Sequence, residues 1–179
     1  MSGSIFSRLS ALGGILLVPL GLQACGGGDG GDNPGSTTEN NFKVELEMRA
    51  TNGAPRTSFT FGNNIVFAVI VTNLSGGAQT LTLPTSQIYD LAVLSEGSAT
   101  PSWRWSFNRA FQPATTTLTF TSHQSITYLY IWDGVLENGT QLMPGTYDFR
   151  ATLAYANYAS DWRANDELAA PVRRITIQN

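Results

Sequence analysis

The stretch FKVELEMRA, Phe42 to Ala50, sets Phe42, Val44, Leu46 and Met48 against Lys43, Glu45, Glu47 and Arg49. A strand alternates its side chains with period 2 and a helix repeats every 3.6 residues, so only a strand gives this segment one apolar and one wet face. The same period runs on through the chain. QTLTLP alternates and stops at Pro84; IYDLAVLSEG, SWRWS, TTTLTF, ITYLYIW, TYDFRATLAY and VRRITIQ follow, most of them separated by Gly, Pro or Asn. NIVFAVIVTN, Asn64 to Asn73, is apolar almost throughout and rich in β-branched residues, which predicts a central strand buried on both faces. A helical segment is the alternative at that length, but Gly62 to Asn64 and Asn73 to Gly77 bound it as turns do. Eight or nine short strands within roughly 135 residues, with no helical stripe between them, predict an all-β fold: an antiparallel immunoglobulin-like β-sandwich. ASDWRANDELAA, Ala159 to Ala170, is expected to supply one helical turn or a crossing loop. No internal repeat is visible.

The front of the chain reads differently. Arg8 precedes LSALGGILLVPLGL, an apolar run from Leu9 to Leu22 that falls short of the roughly 20 residues needed to span a bilayer and suits a signal-peptide h-region. LQAC, Leu22 to Cys25, then resembles a bacterial lipobox, with Gln23 an unusual occupant of its middle position. Residues 1–24 are expected to form a lipoprotein signal peptide and Cys25 to carry the lipid; a plain secretory signal with a stray cysteine is the alternative. Gly26 to Asn41, GGGDGGDNPGSTTENN, has no apolar side chain to bury and lacks the acidic spacing of a calcium loop. Residues 25–41 therefore read as a Gly-rich tether with an r.m.s. reach of about 20–25 Å, leaving 42–179 as the folded domain. The expected location is the cell envelope, lipid-anchored. In a cell with two membranes Gly26 after the cysteine directs the expectation to the outer one, facing the periplasm or the surface.

Charge and residue inventory narrow the function. Charged residues make up 13% of the chain, about half the usual share. With a net charge of −3 there is no electrostatic case for nucleic acid or for an anionic lipid surface. The single cysteine excludes an internal disulfide and Cys/His zinc sites. His123, in TSHQS, is expected in an exposed turn, and no G-x-S-x-G or phosphate-binding glycine loop accompanies it. Asp90 and Asp133 follow aromatics at strand ends and are expected to hold turn backbone rather than to act as a catalytic pair. The reading is a binding protein, not an enzyme, with no cofactor or metal.

PSWRWSFNRAFQP, Pro101 to Pro113, is the densest aromatic stretch. On a strand Trp103 and Trp105 share a face, and Arg104 and Ser106 point the other way. Trp105 and Trp132 are expected in the core, with Trp103 capping its end and Arg104 and Arg109 stacking on exposed rings. The alternation then fails, so FNRAFQP must leave the sheet as a loop. Phe107 and Phe111 are its expected apolar feet, and Asn108, Arg109 and Ala110 its presented contact residues. The competing surfaces are the longer, Gly-richer loop DGVLENGTQLMPG, Asp133 to Gly145, and a plain sheet face; an aromatic glycan platform is a further alternative.

Three longer segments together carry a resemblance. VTNLSGGAQTLTLPTSQIYDLAVL, WRWSFNRAFQ, and ITYLYIWDG followed by GTQLMPGTYDFRATL stand in the order and approximate spacing of the intracellular proteinase inhibitor family of the BsuPI type, from about Val66 to Leu153. The chain is similar to that family. The resemblance implies an immunoglobulin-like sandwich and, as for the founding member, inhibition of a subtilisin-type serine protease, though it carries no reactive site over to particular residues. A leader and lipobox depart from a family named for an intracellular location, which implies a different target. The expected partners are thus a protein, in this reading a serine protease, and the membrane through the lipid anchor. The alternative is a structural or assembly lipoprotein that holds a protein at its sheet edge.

Overall fold

The structure, a computed structural model, describes residues 41–155 and 168–179. The leader, Cys25, all of the tether but Asn41, and most of Ala159 to Ala170 lie outside the described residues.

One sheet joins β1 (Phe42–Arg49), β3 (Ile65–Asn73) and β8 (Ser125–Trp132) in the order β1-β3-β8, both pairings antiparallel. The other runs β2-β10-β9-β5-β6, from β2 (Ser58–Thr60) and β10 (Arg173–Gln178) through β9 (Gly145–Leu153) and β5 (Tyr89–Ser95) to β6 (Trp103–Arg104). A two-stranded ribbon, β4 (Gln79–Leu83) with β7 (Thr116–Phe120), completes the described strands. The chain is all-β, an immunoglobulin-like sandwich, with Val44, Leu46 and Met48 of β1 buried between the sheets. As its β-branched run predicts, β3 is the central strand of its sheet. Two elements depart from the sequence reading. β2 has only three residues, too few to show a period, and pairs with β10 in parallel. SWRWS keeps strand geometry only at Trp103 and Arg104, because the chain turns at Trp105.

The β3–β8 ladder ends at a corner held by Asn73, which is fully buried. Its amide donates to the carbonyls of Gly77 (2.8 Å) and Thr121 (2.9 Å), and its oxygen accepts from the Ser75 N–H at 2.9 Å. Such saturation removes the cost of burying the amide and fixes where the chain passes into the β4–β7 ribbon. Phe67 of β3 sits at the heart of the core, its ring 5.5 Å from Phe149, 5.7 Å from Trp103 and 6.1 Å from Trp132. Burying each such ring contributes about 1.5–3 kcal/mol.

Candidate functional site

β5 places Asp90 between two apolar neighbours, with no exposed surface. A buried carboxylate must be paired and hydrogen-bonded, and Asp90 is both. Its Oδ2 accepts from Arg104 Nη2 at 2.9 Å and from the Ser106 hydroxyl at 2.6 Å; its Oδ1 accepts from the N–H groups of Ser106 (3.0 Å) and Leu91 (2.8 Å). The Trp105 N–H donates to the Leu91 carbonyl at 3.0 Å. One carboxylate therefore sews the chain after β6 onto β5. This is the structural role expected of Asp90, but its partners are side chains as well as turn backbone.

Beyond Ser106 the chain coils out. The Phe107 N–H donates to the Arg104 carbonyl at 3.2 Å and the Arg109 N–H to that of Ser106 at 3.1 Å. Asn108 takes a left-handed φ of 56°, a conformation Asn tolerates better than other side-chained residues. The returning limb is tied to Ser86, whose hydroxyl accepts from the Gln112 N–H at 2.9 Å and whose own N–H donates to the Gln112 carbonyl at 3.0 Å. The loop is thus fastened at both ends. Asn108, Arg109 and Ala110 are exposed between the fastenings.

The rings beneath the loop differ from the sequence reading in two respects. Trp103, not Trp105, is the core residue, stacked among Trp132 (4.8 Å), Phe67 and Tyr130. The turn lifts Trp105 to the rim, half-buried against Tyr89 (4.8 Å) and Phe111 (5.6 Å). Phe107 is no foot: it is 49% exposed, and Asp90 holds that end of the loop by hydrogen bonds instead. Phe111 does serve as one. Arg104 pairs through Nη2 with the buried Asp90, and Arg109 folds back over Trp105 (4.6 Å) and Tyr130 (5.8 Å) as expected.

Burial pushes the Tyr89 hydroxyl up to about 12, against an opposing pull from the charge of Arg109. Tyr128 and Tyr130 are also raised by burial, and a hydrogen bond and the charge of Arg109 pull Tyr130 back. The exposed Arg109, stacked over the half-buried Trp105 and Tyr130, gives this end of the sandwich an amphipathic surface suited to recognition.

The competing loop is more firmly built than its glycines suggest. Leu142 is buried, Trp132 Nε1 donates to the Val135 carbonyl at 3.0 Å, and Gln141 Nε2 donates to that of Asp133 at 2.8 Å. The Asp133 carboxylate accepts the Val135 N–H of its own turn, and His123 lies exposed with φ 55° between β7 and β8. Among the described residues no group of three or more His, Cys, Asp or Glu could hold a metal ion, and no helix is long and apolar enough to cross a membrane.

The BsuPI profile, described as intracellular proteinase inhibitor, matches residues 54–158, more than half of the chain. That span includes Ser86, Asp90 and the whole of the fastened loop. No curated protein matches. Among solved structures, the chain is similar to a CARDB domain from Pyrococcus furiosus solved with di-metal ions, at 13% identity and a TM-score of 0.38, over 78% of this chain and 96% of that one. It is also similar to the Pseudomonas fluorescens alkylpurine DNA glycosylase AlkC (8%, TM-score 0.42, 78% of this chain and 31% of that one). A third is a β-glucosidase from Listeria innocua (9%, TM-score 0.42, 77% of this chain and 16% of that one).

Proposed function

The chain belongs to the BsuPI family of intracellular proteinase inhibitors, and from that premise we propose that it is a lipid-anchored protease inhibitor of the cell envelope that engages a serine protease through the loop from Phe107 to Pro113. The family suggests a proteinase-inhibitor-like role with a protease as the general partner, and a proteinase inhibitor is not itself an enzyme. The serine-protease target, the anchor on Cys25 and the envelope location are the finer parts of the proposal. LQAC and the apolar run before it support the last two.

The observation that carries the loop is its double fastening: Asp90 grips Ser106 on one side and Ser86 grips Gln112 on the other. An inhibitor gains affinity by presenting a conformation fixed before binding, since ordering a floppy loop costs about 0.5–1.5 kcal/mol per immobilised side chain. Here both limbs of the loop are hydrogen-bonded to the sandwich without a partner, and Asn108, Arg109 and Ala110 are left outward to be read.

Titration of the purified protein against subtilisin-like and other envelope serine proteases tests the proposal. Stoichiometric loss of peptidase activity supports it. Full activity of every protease at micromolar inhibitor overturns it. For the anchor, Cys25→Ala should release the protein from membranes or stall its processing; a mature-sized variant still in the membrane fraction removes Cys25 as the attachment point.

A further inference from the structure

The two edges of the β1-β3-β8 sheet are finished in opposite ways. The Asn41 carbonyl accepts the Leu74 N–H at 2.7 Å, and the Asn73 N–H donates to the Gln124 carbonyl at 2.9 Å. These bonds set the phase of both ladders: along β3, odd-numbered residues turn their backbone groups toward β8 and meet its even-numbered residues. The N–H and C=O groups of Thr127, Leu129 and Ile131 therefore point out of the sheet. Among the described residues no hydrogen bond reaches them.

On β1 the corresponding outward groups are guarded. The Leu46 carbonyl accepts Arg173 Nε at 2.8 Å, the Met48 carbonyl accepts the Arg56 N–H at 2.8 Å, and Lys43, Glu45, Glu47 and Arg49 line the strand's outer face. Charges, caps and short length are how natural edges avoid pairing with foreign strands. β8 has none of these: its eight residues, SITYLYIW, include no charge and no proline. Leu129 and Ile131 are 42% and 60% exposed on its outer face, directly beside Ala68 and Val66 of β3.

We propose that β8 pairs edge to edge with β8 of a second copy of this chain, antiparallel about a two-fold axis at Leu129. That register sets Leu129 against Leu129 and Thr127 against Ile131, and the outward groups of each pair exchange both hydrogen bonds, about six in all. The exposed Leu129 and Ile131 then close into one apolar strip that continues the Val66 and Ala68 row. A second copy is the occupant because β8 is its own complement: about the two-fold axis every outward donor meets an outward acceptor, and none of its eight side chains carries a charge to repel its counterpart.

This inference is independent of the protease reading, and the test keeps the two apart. The full chain is followed by sedimentation velocity over a dilution series and by amide hydrogen exchange. The comparison variants are Leu129→Pro, which removes an outward donor without touching a β3 bond, and the doubly charged Leu129→Lys/Ile131→Lys. The expected result is a concentration-dependent dimer in which the Thr127, Leu129 and Ile131 amides gain protection, with both variants monomeric and folded by near-ultraviolet circular dichroism. A monomer at every concentration, or a dimer that survives in the doubly charged variant, overturns the proposal. A monomeric wild type whose protease binding is lost in Leu129→Pro also overturns it, and gives the edge to a strand of the protease instead.

Discussion

Arg104 reaches back to Asp90, Nη2 to Oδ2 at 2.9 Å, joining a part-exposed guanidinium to a carboxylate with no exposed surface. The pair decides the fate of the segment that follows, because the same carboxylate holds both polar hydrogens of Ser106. Removing it takes away this ion pair and leaves a backbone donor unpaired. Asp90→Ala should destabilise the fold by about 2–4 kcal/mol, below the full loss for a wholly buried pair because Arg104 keeps some solvent. Urea unfolding checks this: the midpoint should fall at unchanged slope. A shift under about 0.5 kcal/mol would show that the Asp90 contacts do not fasten the segment.

The two tryptophans of WRW should separate by stability. Trp103 is ringed by Phe67, Tyr130 and Trp132, so Trp103→Ala should cost about 3–5 kcal/mol. Trp105 keeps one side toward solvent and packs on Tyr89 and Phe111, so Trp105→Ala should cost roughly half as much. Equal losses would mean that Trp105 is core after all.

Arg109 lies over Trp105 at 4.6 Å. At a partly exposed site such stacking contributes about 0.5–1 kcal/mol, so Arg109→Ala should barely move the melting temperature. It should nevertheless change the Trp105 emission, and Arg109→Lys should restore part of the signal. An emission spectrum untouched by Arg109→Ala would contradict the stacked geometry.

Stability should also report the buried tyrosines at high pH. The folded protein holds the Tyr89 proton up to about 12 because burial disfavours the phenolate, whereas the unfolded chain releases it near 10.0. A pKa raised on folding gives stability that is complete below pH 10 and lost as pH rises toward 12. Tyr89 accounts for a fall of about 2–3 kcal/mol across that window, and Tyr128 and Tyr130 add in the same direction. Thermal melts of Tyr89→Phe beside the wild type at pH 8, 10 and 11.5 measure it. The variant should lose less stability between pH 10 and 11.5, and parallel losses would refute the assignment.

The sequence showed most of the sandwich because alternation and burial are local signals: β1 reads as a strand from its eight residues alone, and β3 as central from its unbroken apolar run. β2 was hidden because three residues carry no period. The site was legible in part. The failure of alternation after Ser106 marks the loop, and Phe111 packs as its spacing suggests. Phe107 misled because an aromatic at a loop's start looks like an anchor when the true anchor, Asp90, lies fourteen residues from Arg104 in sequence. A signal for it existed. Arg104 and Ser106 sit two apart on the face away from the tryptophans, a donor pair needing an acceptor, and Asp90 interrupts an otherwise apolar strand.

The central claim is that the fastened loop inhibits a protease. Its most direct measurement is the inhibition constant of the wild type beside a variant with Asn108→Gly, Arg109→Ser and Ala110→Gly together, against the protease most sensitive in the panel. Asp90, Ser106, Phe111 and Ser86 remain in place, so the melting temperature should change only by the small stacking contribution of Arg109. The account predicts at least a hundredfold loss of inhibition, equivalent to about 2.7 kcal/mol of binding. An unchanged inhibition constant in a folded variant would contradict it.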